Sequence, residues 1–195
     1  YEVVYVYTEP PPETSDGVAT SNVWTTPDGY MVDLFAVEVS DLDGDGVLEI
    51  IAVGNATDLL TGSRFVAIWI FAYNDTTGEV WLEYYELFQL GEDEALYGLG
   101  LADIDNDGLD EIVASGWFYD TSTGELWSYV AAYDYDGSSL SLQAIGGVPD
   151  SVFLDVIIEN IDADADLEIT LCGYLWNDTG IYDYIYVTHI ANNSF

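Results

Sequence analysis

The fold of this chain is decided by one acidic stretch, Asp41-Leu42-Asp43-Gly44-Asp45-Gly46-Val47-Leu48-Glu49, which returns twice further along the sequence. The second copy spans residues 103–111 and reads DIDNDGLDE; the third spans residues 160–168 and reads NIDADADLE. Each copy places an oxygen-bearing side chain at loop positions 1, 3, 5 and 9. Because a tight loop can turn alternate side chains toward one point, this spacing predicts an oxygen-lined cage for a cation.

Calcium is the cation that such a loop suits best. It binds six to eight oxygen ligands at about 2.3–2.6 Å, and a glycine at position 6 permits the sharp turn that the loop needs. Gly46 and Gly108 occupy that position. Position 7 needs to contribute only its backbone carbonyl, so an apolar residue such as Val47 or Leu109 is suitable there.

The sequence predicts two calcium sites and a third, weaker one, in which Asn160 replaces the first Asp and Ala165 replaces the glycine. An EF-hand closes with a Glu at position 12 between two helices, whereas these loops are flanked by strand-like segments. A solvated acidic turn is the alternative for any single loop, but three copies in register favour metal binding. The predicted ligands are Asp41, Asp43, Asp45, Val47, Glu49, Asp103, Asp105, Asp107, Leu109, Glu111, Asn160, Asp162, Asp164, Asp166 and Glu168.

The loops start at residues 41, 103 and 160, and this period of about 60 residues indicates a repeat architecture. Apolar residues alternate before each loop, as expected for a strand with one buried face. After each loop we expect a second strand that ends at a glycine, namely Gly54, Gly116 or Gly173. Third strands are predicted over residues 65–73, 126–134 and 181–190, and fourth strands near 79–87 and 140–145.

The fold class that follows is all-β, with three four-stranded antiparallel sheets that resemble propeller blades. We expect a single domain over residues 1–195, whose repeats span 31–90, 91–147 and 148–195. The third repeat lacks a fourth strand, whereas an isolated strand at 1–8 precedes a linker at 9–30. The opening strand is therefore predicted to complete the third blade, either within its own molecule or by strand exchange with a neighbour.

The pattern Asp-x-Asp-x-Asp-Gly-x-x-acidic between two strands resembles the FG-GAP and VCBS repeats over about residues 31–190. The resemblance implies a calcium-binding β-propeller of the kind found in integrin α-chains and in many secreted bacterial and archaeal proteins. Natural propellers have four to eight blades, so three predicted blades indicate self-assembly. The partners we expect are copies of this chain, and a glycan or a surface protein is the alternative partner.

The formal net charge of −36 restricts the partners further. Arg64 is the single cationic side chain apart from His189, so the surface repels nucleic acid and anionic membranes. No run of residues is long and apolar enough for membrane insertion. The charge also opposes association between copies, which would need screening salt, bridging divalent cations or a large apolar contact.

Several features favour an extracellular or cell-surface location and a mature chain after signal removal. Calcium is abundant outside cells, and glycosylation sequons occur at Asn55, Asn74, Asn177 and Asn192, all at predicted turns. Ordinary turn chemistry is the alternative explanation for these Asn-x-Ser/Thr segments. The single cysteine, Cys172, is expected to pack in the core.

The chain is not expected to be an enzyme, because Lys is absent and neither His189 nor Cys172 has a partner motif around it. The leading hypothesis is a calcium-stabilised structural protein that assembles into a filament, a tube or a surface layer. The alternative is a secreted adhesin or a carbohydrate- or protein-binding module, for which 16 Tyr and 6 Trp would supply contacts. A halophilic domain whose acidity retains water and salt is a third hypothesis.

Overall fold

The computed structural model describes residues 29–189, apart from 75, 78 and 163–165, and this part of the chain consists of β-strands and their connections. The strands are β1 (Tyr30–Ser40), β2 (Glu49–Asp58), β3 (Arg64–Tyr73), β4 (Val80–Phe88), β5 (Asp93–Ala102), β6 (Glu111–Asp120), β7 (Glu125–Tyr135), β8 (Leu140–Gly146), β9 (Ser151–Glu159), β10 (Glu168–Asn177) and β11 (Gly180–Thr188). Within the described residues, no helix has the length and hydropathy to cross a membrane.

The strands form three antiparallel sheets in chain order. Sheet A is β1–β4 and sheet B is β5–β8, each with neighbouring strands adjacent in the sequence, and sheet C is β9–β11. The prediction of an all-β, antiparallel fold is thus confirmed. In the part of the chain that the structure describes, no strand pairs with the outer edge of β11. The predicted strand at 1–8 and the predicted linker at 9–30, apart from its last two residues, lie outside the described residues.

The sheets stack in the order A, B, C, and the first strand of each sheet packs on the sheet before it. Strand β5 contacts β1, β2 and β3, and β9 contacts β5, β6 and β7. The A–B interface buries one continuous apolar cluster: Leu42, Ile51, Val53, Val66, Ile68, Ile70, Leu96, Leu99, Ile112, Ala114, Tyr129, Ala131, Tyr133 and Tyr135. The B–C interface buries a second cluster: Val113, Val130, Ala132, Ala144, Phe153, Val156, Ile169 and Leu171. These two layers hold the sheets together because apolar burial is the main source of folding free energy.

A further buried cluster lies on the face of sheet A that points away from sheet B. It contains Ala52, Ala56, Ala67, Trp69 and Phe71, from β2 and β3. The neighbouring β1 residues on this face differ, since Leu34, Val37 and Val39 are exposed. The outward face of sheet A is therefore covered over β2 and β3 and open along β1.

The glycines that follow the loops lie inside the second strands, so the prediction that those strands end there is wrong. Gly54, Gly116 and Gly173 each pair with a residue of the first strand beside a β-bulge. A Cβ atom at these glycines would lie 1.8–1.9 Å from a carbonyl oxygen of the neighbouring strand. Only glycine tolerates this approach, which explains why each repeat carries one at the same place.

Cys172 is exposed, so the prediction of core packing is wrong. It lies on β10, on the face of sheet C that points away from sheet B. The residues at the same place in the other repeats, Val53 and Ser115, are buried. The difference arises because sheet C has no described sheet beyond it, whereas sheets A and B do.

Candidate metal centre

The three acidic loops occupy equivalent places, since each joins the first and second strands of its sheet. They also lie at the same end of the molecule. A Cβ atom at Gly44 would lie 3.1 Å from Leu109 Cδ2, so the first two loops touch. Ile104 of the second loop shares a small cleft with Asp166 of the third loop and with the exposed His189. The fold thus gathers the acidic loops along one edge of the sheet stack.

The first loop is held by its own carboxylates. The amide of Asp45 donates to Asp43 Oδ1 (3.1 Å), that of Gly46 to Asp41 Oδ2 (3.0 Å), and that of Val47 to Asp45 Oδ1 (2.7 Å). Each bond orients one carboxylate while leaving a second oxygen on it. The loop therefore presents preoriented acidic oxygens on its inner side.

The second loop repeats the same bonds at the same positions. Asp107 N donates to Asp105 Oδ1 (3.1 Å), Gly108 N to Asp103 Oδ2 (3.0 Å), and Leu109 N to Asp107 Oδ1 (2.9 Å). Both loops therefore fold alike although several of their residues differ.

Backbone torsions explain part of this agreement. The glycine at position 6 has φ of 88° in the first loop (Gly46) and 100° in the second (Gly108). Position 4 is also left-handed, at 74° for Gly44 and 64° for Asn106. Gly and Asn are the residues that adopt this conformation most readily. The requirement at position 4 is a feature that the search for ligand spacing overlooked.

The Glu at position 9 closes each loop from the start of the second strand. One oxygen of Glu49, Glu111 and Glu168 accepts the amide of the residue at position 2, at 2.8 Å in all three loops. All three Glu side chains are buried. A buried carboxylate is costly unless it is compensated, so this constant arrangement points to a counter-ion for the charge.

The predicted ligands converge in the first two loops. Carboxylate oxygens of Asp41, Asp43 and Asp45 lie within 4.8 Å of one another, as do those of Asp103, Asp105 and Glu111. Glu49 and Asp107 fall outside these two groups in the described structure. In the third loop, Asn160, Asp162 and Asp166 are described but Asp164 is not. The hydrogen bond from the Ile161 amide to Glu168 is a feature that this loop shares with the other two.

Electrostatics within the loops favour a bound cation. Burial, together with the charges of Asp43, Glu83 and Asp45, raises the pKa of Glu49 to about 7, against the opposing effect of the hydrogen bond from the Leu42 amide. Burial likewise raises the pKa of Glu111 to about 7, with contributions from Asp105, Asp107 and Asp103. Ionising these buried carboxylates beside other negative charges costs free energy, which a bound cation would offset.

One carboxylate oxygen in each of these loops lacks compensation altogether. Asp41 Oδ1 and Asp103 Oδ1, both at position 1, are buried atoms without a hydrogen-bond partner. Buried polar atoms are normally paired, so each of these needs an explanation. A cation in the loop would provide the missing partner at the first position of both sites.

Two carboxylates near the loops were missed by the sequence reasoning. Burial, followed by the charges of Asp43 and Asp45, raises the pKa of Glu83, at a bulge in β4. Burial, followed by the charges of Asp107 and Asp105, raises the pKa of Asp134, on β7. Both come from outside the loops and depend on hairpin register, which the loop spacing does not reveal.

The sequons separate into different environments. Asn55 is buried within β2, so the prediction that it lies at a turn is wrong. Asn74 and Asn177 do lie at hairpin turns, where their Oδ1 atoms accept the amides of Thr76 and Thr179, each at 2.9 Å. Asn192 lies outside the described residues. A glycan at Asn55 is incompatible with this packing, whereas Asn74 and Asn177 stay candidates.

No family model matches the chain, and neither a curated protein nor a solved structure matches it. The resemblance to FG-GAP and VCBS repeats therefore rests on the loop residues themselves.

Proposed function

We propose that this chain is an extracellular structural protein, stabilised by calcium, that self-assembles into a filament, a tube or a surface layer. It acts through binding and assembly, without catalysis. The observation that carries the proposal is the pair of matching loops, each with a buried and unpartnered oxygen at position 1. Calcium suits these loops because their side chains offer oxygen ligands exclusively.

Calcium would act here as a structural clamp. Each loop joins the two strands that pair across the bulge, so an ion in the loop fixes the turn from which the sheet begins. It would also neutralise part of the formal charge of −36, which otherwise opposes both folding and association. The absence of disulfide pairing in a chain with one cysteine makes such a clamp more valuable.

The stacking of the sheets supports the propeller-like interpretation, since three antiparallel sheets pack face to face in chain order. In this interpretation each sheet is a blade, and sheet C is a blade with three described strands that a fourth strand would complete. We propose residues 1–8 as that strand, supplied by the same molecule or by a neighbour through β-strand addition at β11.

Calcium titration of chelator-treated protein tests the metal sites directly. We expect at least two ions to bind, and the isosteric changes Asp41→Asn and Asp103→Asn each to remove or weaken one of them. The matched control is Asp58→Asn, which alters an exposed turn carboxylate that accepts the amides of Leu60 and Thr61 outside the loops. Wild-type protein that takes up no calcium, or a control that loses as much binding as the loop variants, would contradict the proposal.

Light scattering after gel filtration tests the assembly. In calcium we expect species larger than the 21.5 kDa chain, and in excess EDTA a shift toward the single chain. A single chain under both conditions would leave calcium binding intact and remove the structural-polymer proposal.

A further inference from the structure

The strand registers place the three repeats in direct correspondence. Leu34, Leu96 and Phe153 each pair with the repeat's glycine on the second strand. Leu96 and Phe153 are buried because the sheet before them covers them, whereas Leu34 is 50% exposed. Leu34 thus occupies the position that is buried between sheets in the other two repeats, but in the described structure no sheet covers it.

A second position along the same strand shows the same contrast. Leu99 of β5 and Val156 of β9 are buried in the A–B and B–C interfaces. Their equivalent in β1 is Val37, which pairs with Ala52 as Leu99 pairs with Ala114, and it is 61% exposed. At both positions β1 thus has the residues of an interface strand, and no sheet among the described residues packs on them.

The opposite end of the stack shows the complementary surface. Ile68 of β3 and Val130 of β7 lie on the faces that sheets A and B present to the next sheet, and both are buried. Their equivalent in sheet C is Ile185, which pairs with Cys172 as Ile68 pairs with Val53, and it is 72% exposed. Val187 beside it is also exposed.

We propose that a second copy of this chain fills both surfaces, with β1 of one copy lying across the outward face of sheet C of another. This head-to-tail contact would repeat the packing of β5 on sheet A and of β9 on sheet B. The proposal rests on the self-assembly proposed above and names the surface that performs it. It involves β1, which is open, and not the covered cluster around Trp69.

Charge favours this contact over other surfaces of the molecule. Copies of so acidic a chain repel one another, so association needs a contact where apolar area predominates. The two end surfaces supply it: Leu34, Val37 and Val39 on β1, and Ile157, Ile185 and Val187 on sheet C. Calcium in the loops would lower the remaining repulsion.

The symmetry of the contact has a definite consequence. A head-to-tail contact uses two different surfaces, so it closes into a ring when the rotation permits and otherwise extends as a filament. Two copies would bring together six sheets, within the four to eight blades of ordinary propellers. A closed pair and a longer chain of copies are both forms of this one contact.

Two charge-introducing variants test the contact in the full chain, with calcium present. Val37→Asp disables the β1 surface and leaves sheet C intact; Ile185→Asp does the reverse. Leu60→Asp is the control, since Leu60 is exposed on the β2–β3 turn, outside both surfaces. We expect wild type and control to assemble, each variant alone to run as a single chain, and an equimolar mixture of the variants to form two-chain species.

Each alternative gives a different result. Assembly of Val37→Asp alone, with Ile185→Asp impaired, would overturn the head-to-tail contact and indicate pairing through sheet C or strand donation at β11. Assembly of both single variants would also overturn it, while leaving calcium-dependent self-assembly intact. A wild type that stays a single chain would overturn the contact and the self-assembly together, even if it binds calcium. Circular dichroism of the variants would show that the substitutions at these exposed sites leave the fold unchanged.

Discussion

Ser40 donates a hydrogen bond from its Oγ to Asp110 Oδ2, at 2.6 Å, and so ties the last residue of β1 to the second acidic loop. The bond crosses from sheet A to sheet B at the edge where Gly44 of the first loop lies against Leu109 of the second. The first two loops therefore form one acidic unit and not two isolated turns. A change in the charge of one loop is therefore expected to change the cation affinity of the other.

The variant Asp41→Asn is expected to change stability in opposite directions with and without calcium. In EDTA it removes one of several mutually repelling carboxylates, so the free energy of unfolding should rise by about 1 kcal/mol. In calcium the variant weakens the binding of an ion. At a hundredfold excess over its Kd, that ion contributes about 2.7 kcal/mol to the free energy of unfolding, so stability should fall. Thermal unfolding in both buffers measures the crossover. Destabilisation in both would indicate a purely structural hydrogen-bonding role for Asp41.

The calcium-free protein is expected to lose stability as pH rises from about 5 to 8. Burial raises the pKa of Glu49 and of Glu111 to about 7 in the folded chain, against an ordinary value of 4.5. Between these values the folded state holds more protons than the unfolded state, so stability falls as pH rises. With about 1.4 kcal/mol per pKa unit, the loss is on the order of a few kcal/mol. Denaturant titration in EDTA at pH 5, 6, 7 and 8 measures it.

Calcium should reverse this trend, because the ion competes with protons for the same carboxylates. The gain in melting temperature on adding calcium is therefore expected to be larger at pH 8 than at pH 5. A gain independent of pH would place the bound ion away from Glu49 and Glu111.

The variant Gly116→Ala is expected to destabilise the chain by about 3 kcal/mol. The added Cβ would lie 1.9 Å from the carbonyl oxygen of Ala95, so the strand pair beside the bulge must separate. The matched addition of one methyl group is Gly100→Ala, where the added Cβ would lie 3.1 Å from the Ile158 side chain and no backbone atom is as close, so a smaller effect is expected. Chemical denaturation of both variants measures the difference, and equal stabilities would show that the bulge adapts freely.

The variant Arg64→Gln is expected to lower the free energy of unfolding by about 1 kcal/mol, the upper end of the range for exposed ion pairs. Arg64 forms an ion pair with Asp93 at the start of β5, linking sheet A to sheet B. When the Asn55 amide is oriented to suit its neighbours, its oxygen accepts from Arg64 Nη2 at 3.1 Å. Burial raises the pKa of Glu94, and the Arg64 guanidinium opposes this rise together with backbone amides that bond to the carboxylate. Arg64→Lys should recover only part of the loss, because an ammonium group lacks the planar fork.

The strand order and the loop geometry were predictable from the sequence because both depend on local spacing. Asp41, Asp43 and Asp45 alternate, and their carboxylates cap the loop's own amides, so similar spacing at 103–111 gives matching bonds. The errors have non-local causes. Gly54 was predicted to end its strand because glycine weakens strands. In the structure it lies inside β2 and permits a close approach of the neighbouring strand. The same error led to the prediction that Asn55, which is buried, lies at a turn.

The environment of Cys172 was beyond sequence reasoning for a related cause. Its repeat equivalents, Val53 and Ser115, are buried by the sheet that follows theirs, and repeat alignment does not show that sheet C has no described successor. Glu83 and Asp134 approach the loops through hairpin register and a bulge, which depend on pairing between distant residues.

The glycine beside the bulge has a consequence for how such a chain can change in length. Because Gly54, Gly116 and Gly173 permit the same close approach of strands beside the same bulge, every repeat contains the residues that set the pairing of its own first two strands. Duplication of one coding unit of about 60 residues would then add a sheet of the right shape and orientation without altering its neighbours. The number of repeats becomes a quantity that evolution, or a protein engineer, can adjust in whole steps.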